Sequence, residues 1–221
     1  MESIKALIQT RFKTLSLVTL AITFSIVALM VRMKLNKSFF YIFLIWNVTL
    51  AIIPYTITMY LSTKANLGKL KIGFWFVIWL LFLPNAPYIV TYLIHIKFGS
   101  DQLLWLDVLV VLSFALSGLL IFYLSVLDMQ RIISATFKTL PIETITFIIL
   151  FLCGFGVYLG RFLRYNSWEI LSEPHKLISD IVGIVFSPFQ HTQAWLFTLG
   201  FGGFLLVGYW LFKHLGTFKE N

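Results

Sequence analysis

VLVVLSFALSGLLIFYLSVL, residues 108–127, contains no Asp, Glu, Lys or Arg. About 20 residues at 1.5 Å rise cross a bilayer core as a helix. The apolar residues run continuously instead of alternating in steps of two, which selects a helix over a barrel strand. Five more charge-free stretches share this character: Thr14–Val31, Ser38–Thr63, Ile72–Ile94, Thr144–Gly160 and Ile181–Phe212. The pattern predicts an all-α, multi-pass transmembrane bundle of six spans. They lie at about 14–31, 39–62, 67–84, 105–127, 143–161 and 193–213, in one integral membrane domain over 1–221.

Composition agrees. Hydrophobic residues make up 59% of the 221, charged residues only 12%, and mean hydropathy is +0.91. A soluble domain needs more charge to cover its surface. The short connections leave no room for a separate soluble catalytic domain. The net charge of +8 does not mark a nucleic-acid binder, because Lys and Arg flank the spans singly or in small groups and form no basic face. Cys153 is the only cysteine, which excludes an intrachain disulfide and fits a small packing residue. The first run follows Lys5, Arg11 and Lys13 as a secretory signal would. It is longer than a signal core and no A-x-A-like site follows it, so it reads as a retained span.

Positive charge orients the chain. Lys5, Arg11, Lys13, Lys64, Lys69, Lys71, Arg131, Lys138, Lys213 and Lys219 share one side. They outnumber Arg32, Lys34, Lys37, Lys97, Arg161, Arg164 and Lys176 on the other. The excess predicts that both termini are cytoplasmic.

The third run carries Leu83-Pro84-Asn85-Ala86-Pro87-Tyr88. Neither proline has an N–H, so the carbonyls of Leu80 and Leu83 lose their helical partners, and each proline disfavours helical geometry in the residue before it. The third helix is therefore expected to break at Pro84/Pro87. Either the break lies near mid-bilayer within a span over Ile72–Ile94, or the span ends near Leu83 and an interfacial helix covers 88–96. The second is preferred. The fifth run ends in Gly156 and Gly160, a G-x-x-x-G pair expected to pack against another helix. Arg161 and Arg164 follow at i and i+3, on one helical face. A second interfacial helix is expected over 168–186.

In a six-span topology the end of span three, the start of four, the end of five and the start of six meet at one membrane face. Those positions carry Asn85, His95, Asp107, Arg161, Arg164, Asn166, Glu169 and His191. Ionisable groups at membrane depth are costly, by roughly 2.5–3.5 kcal/mol per charge at a helix centre, so they pair or serve a purpose. Two guanidinium forks on one face suit a phosphate or carboxylate. Ordinary span ends that snorkel, or pair with Asp107 or Glu169, are the plain alternative. Asn85 suits turn stabilisation better than ligand contact. His95, Asp107, Glu169 and His191 supply acid–base types, but no metal-ligand spacing, P-loop, G-x-S-x-G or dinucleotide fingerprint is present. His175 and His214 read as interfacial or tail residues.

The two motifs resemble the signatures of a bacterial membrane family called domain of unknown function 1361. One is Leu83–Tyr88 with Thr91 and His95. The other is Gly154-Phe155-Gly156-Val157-Tyr158-Leu159-Gly160-Arg161-Phe162-Leu163-Arg164-Tyr165-Asn166-Ser167-Trp168-Glu169. The resemblance implies a multi-pass protein of the bacterial cytoplasmic membrane and supplies no activity, cofactor or metal. Where the family pattern implies an acid after Thr91 this chain has Tyr92, so a proton-transfer role at that position is lost.

Three functions remain open. The first is binding of an anionic lipid headgroup or lipid-linked phosphate by Arg161 and Arg164, with Asn85 and Asn166 orienting it. If chemistry follows, Glu169, Asp107, His95 or His191 would act as acid–base groups. The second is a transporter or permease built on the broken helix. The third is a structural or assembly subunit. The partner expected in every case is the lipid bilayer, with no nucleic acid; the sequence names no reaction.

Overall fold

A computed structural model describes residues 9–64, 67–98, 103–165 and 174–217, and among these there is no strand. Among the described residues six helices are long and apolar enough to cross a membrane. The chain divides into two compact units, Met1–Thr136 and Phe137–Asn221.

In the first unit α1 is Phe12–Asn36, α2 Phe43–Ser62, α3 Lys69–Phe82, the single turn α4 Asn85–Tyr88, and α5 Leu104–Thr136. A 3-10 segment, Ile89–Phe98, follows α4. The longest helix, α5, is the spine, with α1, α2 and the 3-10 segment packed along it. Met129 and Ile133 keep an apolar face of it buried through its last turns.

Polar contacts fix the register of α1 on α5. Arg11 pairs with Asp128, Ser25 Oγ lies 3.1 Å from Ser117 Oγ, and Arg32 pairs with Asp107. The partners run in opposite order, so the helices are antiparallel. Asp107 and Asp128 are 21 residues apart, about 31 Å of helix, which matches a hydrocarbon core about 30 Å thick. The two ion pairs are therefore separated by about one hydrocarbon-core thickness along α5.

The third span also runs antiparallel to α5. Trp79 Nε1 donates to Ser125 Oγ at 2.8 Å, and the Ala86 carbonyl rests on Gly118. Gly118 is midway between Asp107 and Asp128, so the break falls at half the crossing length. From there the 3-10 segment packs against α5. Ten residues at about 2 Å rise cover the remaining half, and the apolar length extends from Lys69 to Ile94. The Leu83 carbonyl, expected to be orphaned, accepts from the Ala86 N–H at 3.3 Å. Asn85 Nδ2 donates to the Phe82 carbonyl at 2.8 Å, serving the turn itself.

The second unit contains α6 (Ile142–Phe162), α7 (Pro174–Phe186) and α8 (Thr192–Thr217). Antiparallel packing of α6 on α8 is set by Lys213 on Glu143 at 2.6 Å and by Gly154 against Gly202 and Thr198. A Cβ on Gly154 would stand 3.0 Å from the Gly202 nitrogen and the Thr198 carbonyl. A close backbone approach thus uses Gly154 and Gly202. Beneath α7, Ile184 joins Tyr158 and Ala194 in a small core, and Trp195 Nε1 donates to the Ile184 carbonyl at 3.1 Å.

Candidate functional site

Asp107 begins α5, where a carboxylate complements the helix dipole. Its partner is Arg32, which the sequence reading placed among the flanking loop charges. Arg32 Nε donates to Asp107 Oδ1 at 2.7 Å, and the two side chains are 4% and 0% exposed. Arg32 Nη1 donates to the Ser38 carbonyl at 3.1 Å, and its guanidinium lies 4.5 Å over the Tyr41 ring. Among the described residues Asp107 Oδ2 is buried without a hydrogen-bond partner. A signal was present in the sequence: Arg11 and Arg32 are spaced by 21, as are Asp107 and Asp128.

Asn85 and His95 belong to the same unit, Asn85 at the break and His95 in the 3-10 segment. Tyr92, standing where an acid was expected, accepts from Asn47 Nδ2 at 3.1 Å and packs on Phe43 and Tyr88.

In the second unit Arg161 occupies the last turn of α6 and is partly exposed. Arg164 does not share its helical face. The helix ends at Phe162, and Arg164 adopts φ 62°, the left-handed conformation that commonly stops a helix. This reverses the chain, so that the Tyr165 N–H reaches the Leu159 carbonyl at 3.1 Å, and it leaves Arg164 exposed. Tyr165 then donates through its hydroxyl to Asp180 Oδ2 on α7 at 2.7 Å. Lys176 Nζ lies 6.0 Å over the Tyr165 ring. Neither Tyr165, Lys176 nor Asp180 was singled out from sequence. His191 is partly buried where the chain enters α8, its Nε2 facing Gly183 of α7. Asn166 and Glu169 lie outside the described residues. Among the described residues, no three His, Cys, Asp or Glu side chains group as metal ligands.

The conformation of Arg164 has a measurable cost. A non-glycine residue in the left-handed region is disfavoured by roughly 1–2 kcal/mol. Arg164→Gly is therefore expected to raise stability by about 0.5–1 kcal/mol, read as a higher unfolding temperature in detergent. An unchanged or lower temperature would show that the side chain holds the turn.

The family model described as "Protein of unknown function (DUF1361)" matches residues 46–207, most of the chain. The chain belongs to the DUF1361 family. All eight candidate residues fall within the DUF1361 match, whereas Arg11 and Arg32 precede it. No curated protein and no solved structure matches the chain.

Proposed function

We propose that this bacterial membrane protein, with both termini in the cytoplasm, binds an anionic lipid headgroup or lipid-linked phosphate at the corner between α6 and α7. The observation that carries the reading is the left-handed turn at Arg164. It sets one guanidinium outside the helix end and exposed, three residues from Arg161 in the last turn. Backbone strain retained at a charged residue accords with a role in binding. Guanidinium forks grip phosphate oxygens in pairs. Next to the corner, α7 exposes Ile178, Val182, Val185 and Phe186, the apolar face of a helix lying in the membrane interface. A lipid seated there would meet charge at its head and hydrocarbon along its chains.

Lipid retained through purification tests the proposal. Wild-type protein is expected to carry anionic lipid in excess of its bulk share, and Arg161→Gln/Arg164→Gln to lose that excess. Equal retention by the two proteins would remove the reading.

A second reading, transport, draws on the break in the third span. Ten residues of 3-10 geometry form an unusually long run of that helix type, placed where transporters interrupt helices. Under that reading water reaches position 85, and an Asn85→Cys variant is labelled by a membrane-impermeant thiol reagent. Complete protection would rule it out.

A further inference from the structure

We infer that α1 is a strap on α5, clasped at Arg32–Asp107 and released at Arg11–Asp128, with Arg131 as the cation that takes over Asp128 when Arg11 leaves. The inference concerns the first unit alone and stands apart from the anion site of the second. The two ion pairs differ in how firmly they hold. At the clasp, Arg32 engages Asp107 on α5 and also the Ser38 carbonyl and the Tyr41 ring. Ser38 and Tyr41 belong to the short connection, residues 37–42, that leads into α2. This end of α1 is thus tied through the chain as well as by charge. Among the described residues no second cation pairs with Asp107.

At the other end Arg11 has one ion-pair partner among the described residues, Asp128, and its side chain is 21% exposed. A second arginine already stands by. Arg131 Nη1 lies 3.8 Å from Asp128 Oδ1, and its side chain is 76% exposed. Arg131 is on α5, one helical turn from Asp128, so it stays with that carboxylate whatever α1 does. Departure of Arg11 therefore leaves Asp128 with a partner, and the long Arg11 side chain extends to water. Departure of Arg32 would leave Asp107 buried and alone, the costly outcome for an ion pair.

The packing beneath Arg11 favours release as well. Val18, Tyr55 and Ile121 meet there from α1, α2 and α5. The Tyr55 hydroxyl lies near Arg11 and Asp128 but, among the described residues, is buried without a hydrogen bond of acceptable geometry. An unsatisfied buried hydroxyl raises the free energy of the closed arrangement, and water admitted by opening would satisfy it. Asp107 Oδ2 is likewise unpartnered, but three contacts of Arg32 oppose its hydration. Leverage adds to the asymmetry. Ser25, which touches Ser117, is 7 residues from Arg32, and Arg11 is 21. A swing about the clasp that moves Arg11 by about 6 Å moves Ser25 by only about 2 Å along a straight helix.

Pulsed EPR distances on the full chain in lipid nanodiscs test the inference, in a Cys153→Ala background so that only introduced cysteines carry spin labels. The pair Phe12→Cys/Ala135→Cys reads the Arg11 end, and Leu35→Cys/Leu104→Cys reads the clasp; all four side chains are exposed. Two distances are expected at the Arg11 end and one at the clasp. Arg131→Gln, at an exposed position that leaves folding intact, is expected to lower the longer-distance population by about two- to five-fold, the effect of one exposed charge pair. Tyr55→Phe keeps the ring, removes the unsatisfied hydroxyl, and is expected to lower it by about five-fold or more. A single distance at the Arg11 end of wild type, or two distances at both ends, would overturn the inference. So would a longer-distance population that either variant leaves unchanged or raises.

Discussion

Replacing Asp107 with alanine is expected to destabilise the protein by about 3–5 kcal/mol, the usual effect of stripping one partner from a buried ion pair. Both side chains are almost fully enclosed. The variant would strand the Arg32 guanidinium with only the Ser38 carbonyl and the Tyr41 ring for company. A charge left unpaired near the membrane-crossing length is more costly than one that can reach water. Thermal unfolding in detergent should show a large fall in melting temperature. The double replacement Arg32→Met/Asp107→Leu separates charge from packing, because it removes both charges and keeps most of the volume. It is expected to recover most of the loss, as apolar substitutes for buried pairs commonly do. If Asp107→Ala melts like wild type, the pair does not hold α1 on α5.

Gly118→Val is the second substitution with a large expected effect. A Cβ at Gly118 would lie 2.7 Å from the Ala86 carbonyl oxygen and 3.1 Å from the Ile89 side chain. The first contact is with backbone in a turn already constrained by two prolines, so it cannot be relieved by rotating a side chain. Valine adds two methyls to a Cβ that does not fit, and overpacking of this kind costs about 1–3 kcal/mol or more. Glycines 200 and 203 provide the control, since nothing lies within 4 Å of a Cβ at either position. Gly200→Ala is expected to leave stability unchanged or raise it slightly, by up to about 1 kcal/mol from helix propensity. Equal effects at Gly118 and Gly200 would mean that the broken third span does not rest on the middle of α5.

Six spans were legible in the sequence because each is written locally: an apolar run of sufficient length defines a membrane helix without reference to its neighbours. The break at Pro84 and Pro87 was legible for the same reason, since a missing N–H acts on its own turn. The support of that break was not, because it rests on Gly118, a residue remote in sequence whose lack of a side chain admits the Ala86 carbonyl. Arg32 was misread as a juxtamembrane charge because positive-inside counting treats every basic residue near a span end alike. Only its contact with Asp107 shows it turned inward. The approach of α8 on Gly154 was not legible either, because Gly154 forms no G-x-x-x-G pair. Of the candidate site, the two arginines were visible as types, but the left-handed turn at Arg164 follows from where α6 stops and could not be read from i, i+3 spacing. Tyr165, Lys176 and Asp180 come together only through the fold of α7 onto α6.

The measurement that bears most directly on the proposed function is lipid binding to the intact protein, read by native mass spectrometry from nanodiscs holding anionic and zwitterionic lipid in equal amounts. Wild type should emerge with anionic lipid attached. Arg161→Gln/Arg164→Gln should emerge without it, and Arg131→Gln, which removes an exposed charge elsewhere, should keep it. Anionic adducts that survive the double replacement, or that fall equally with Arg131→Gln, would contradict a headgroup site at the end of α6.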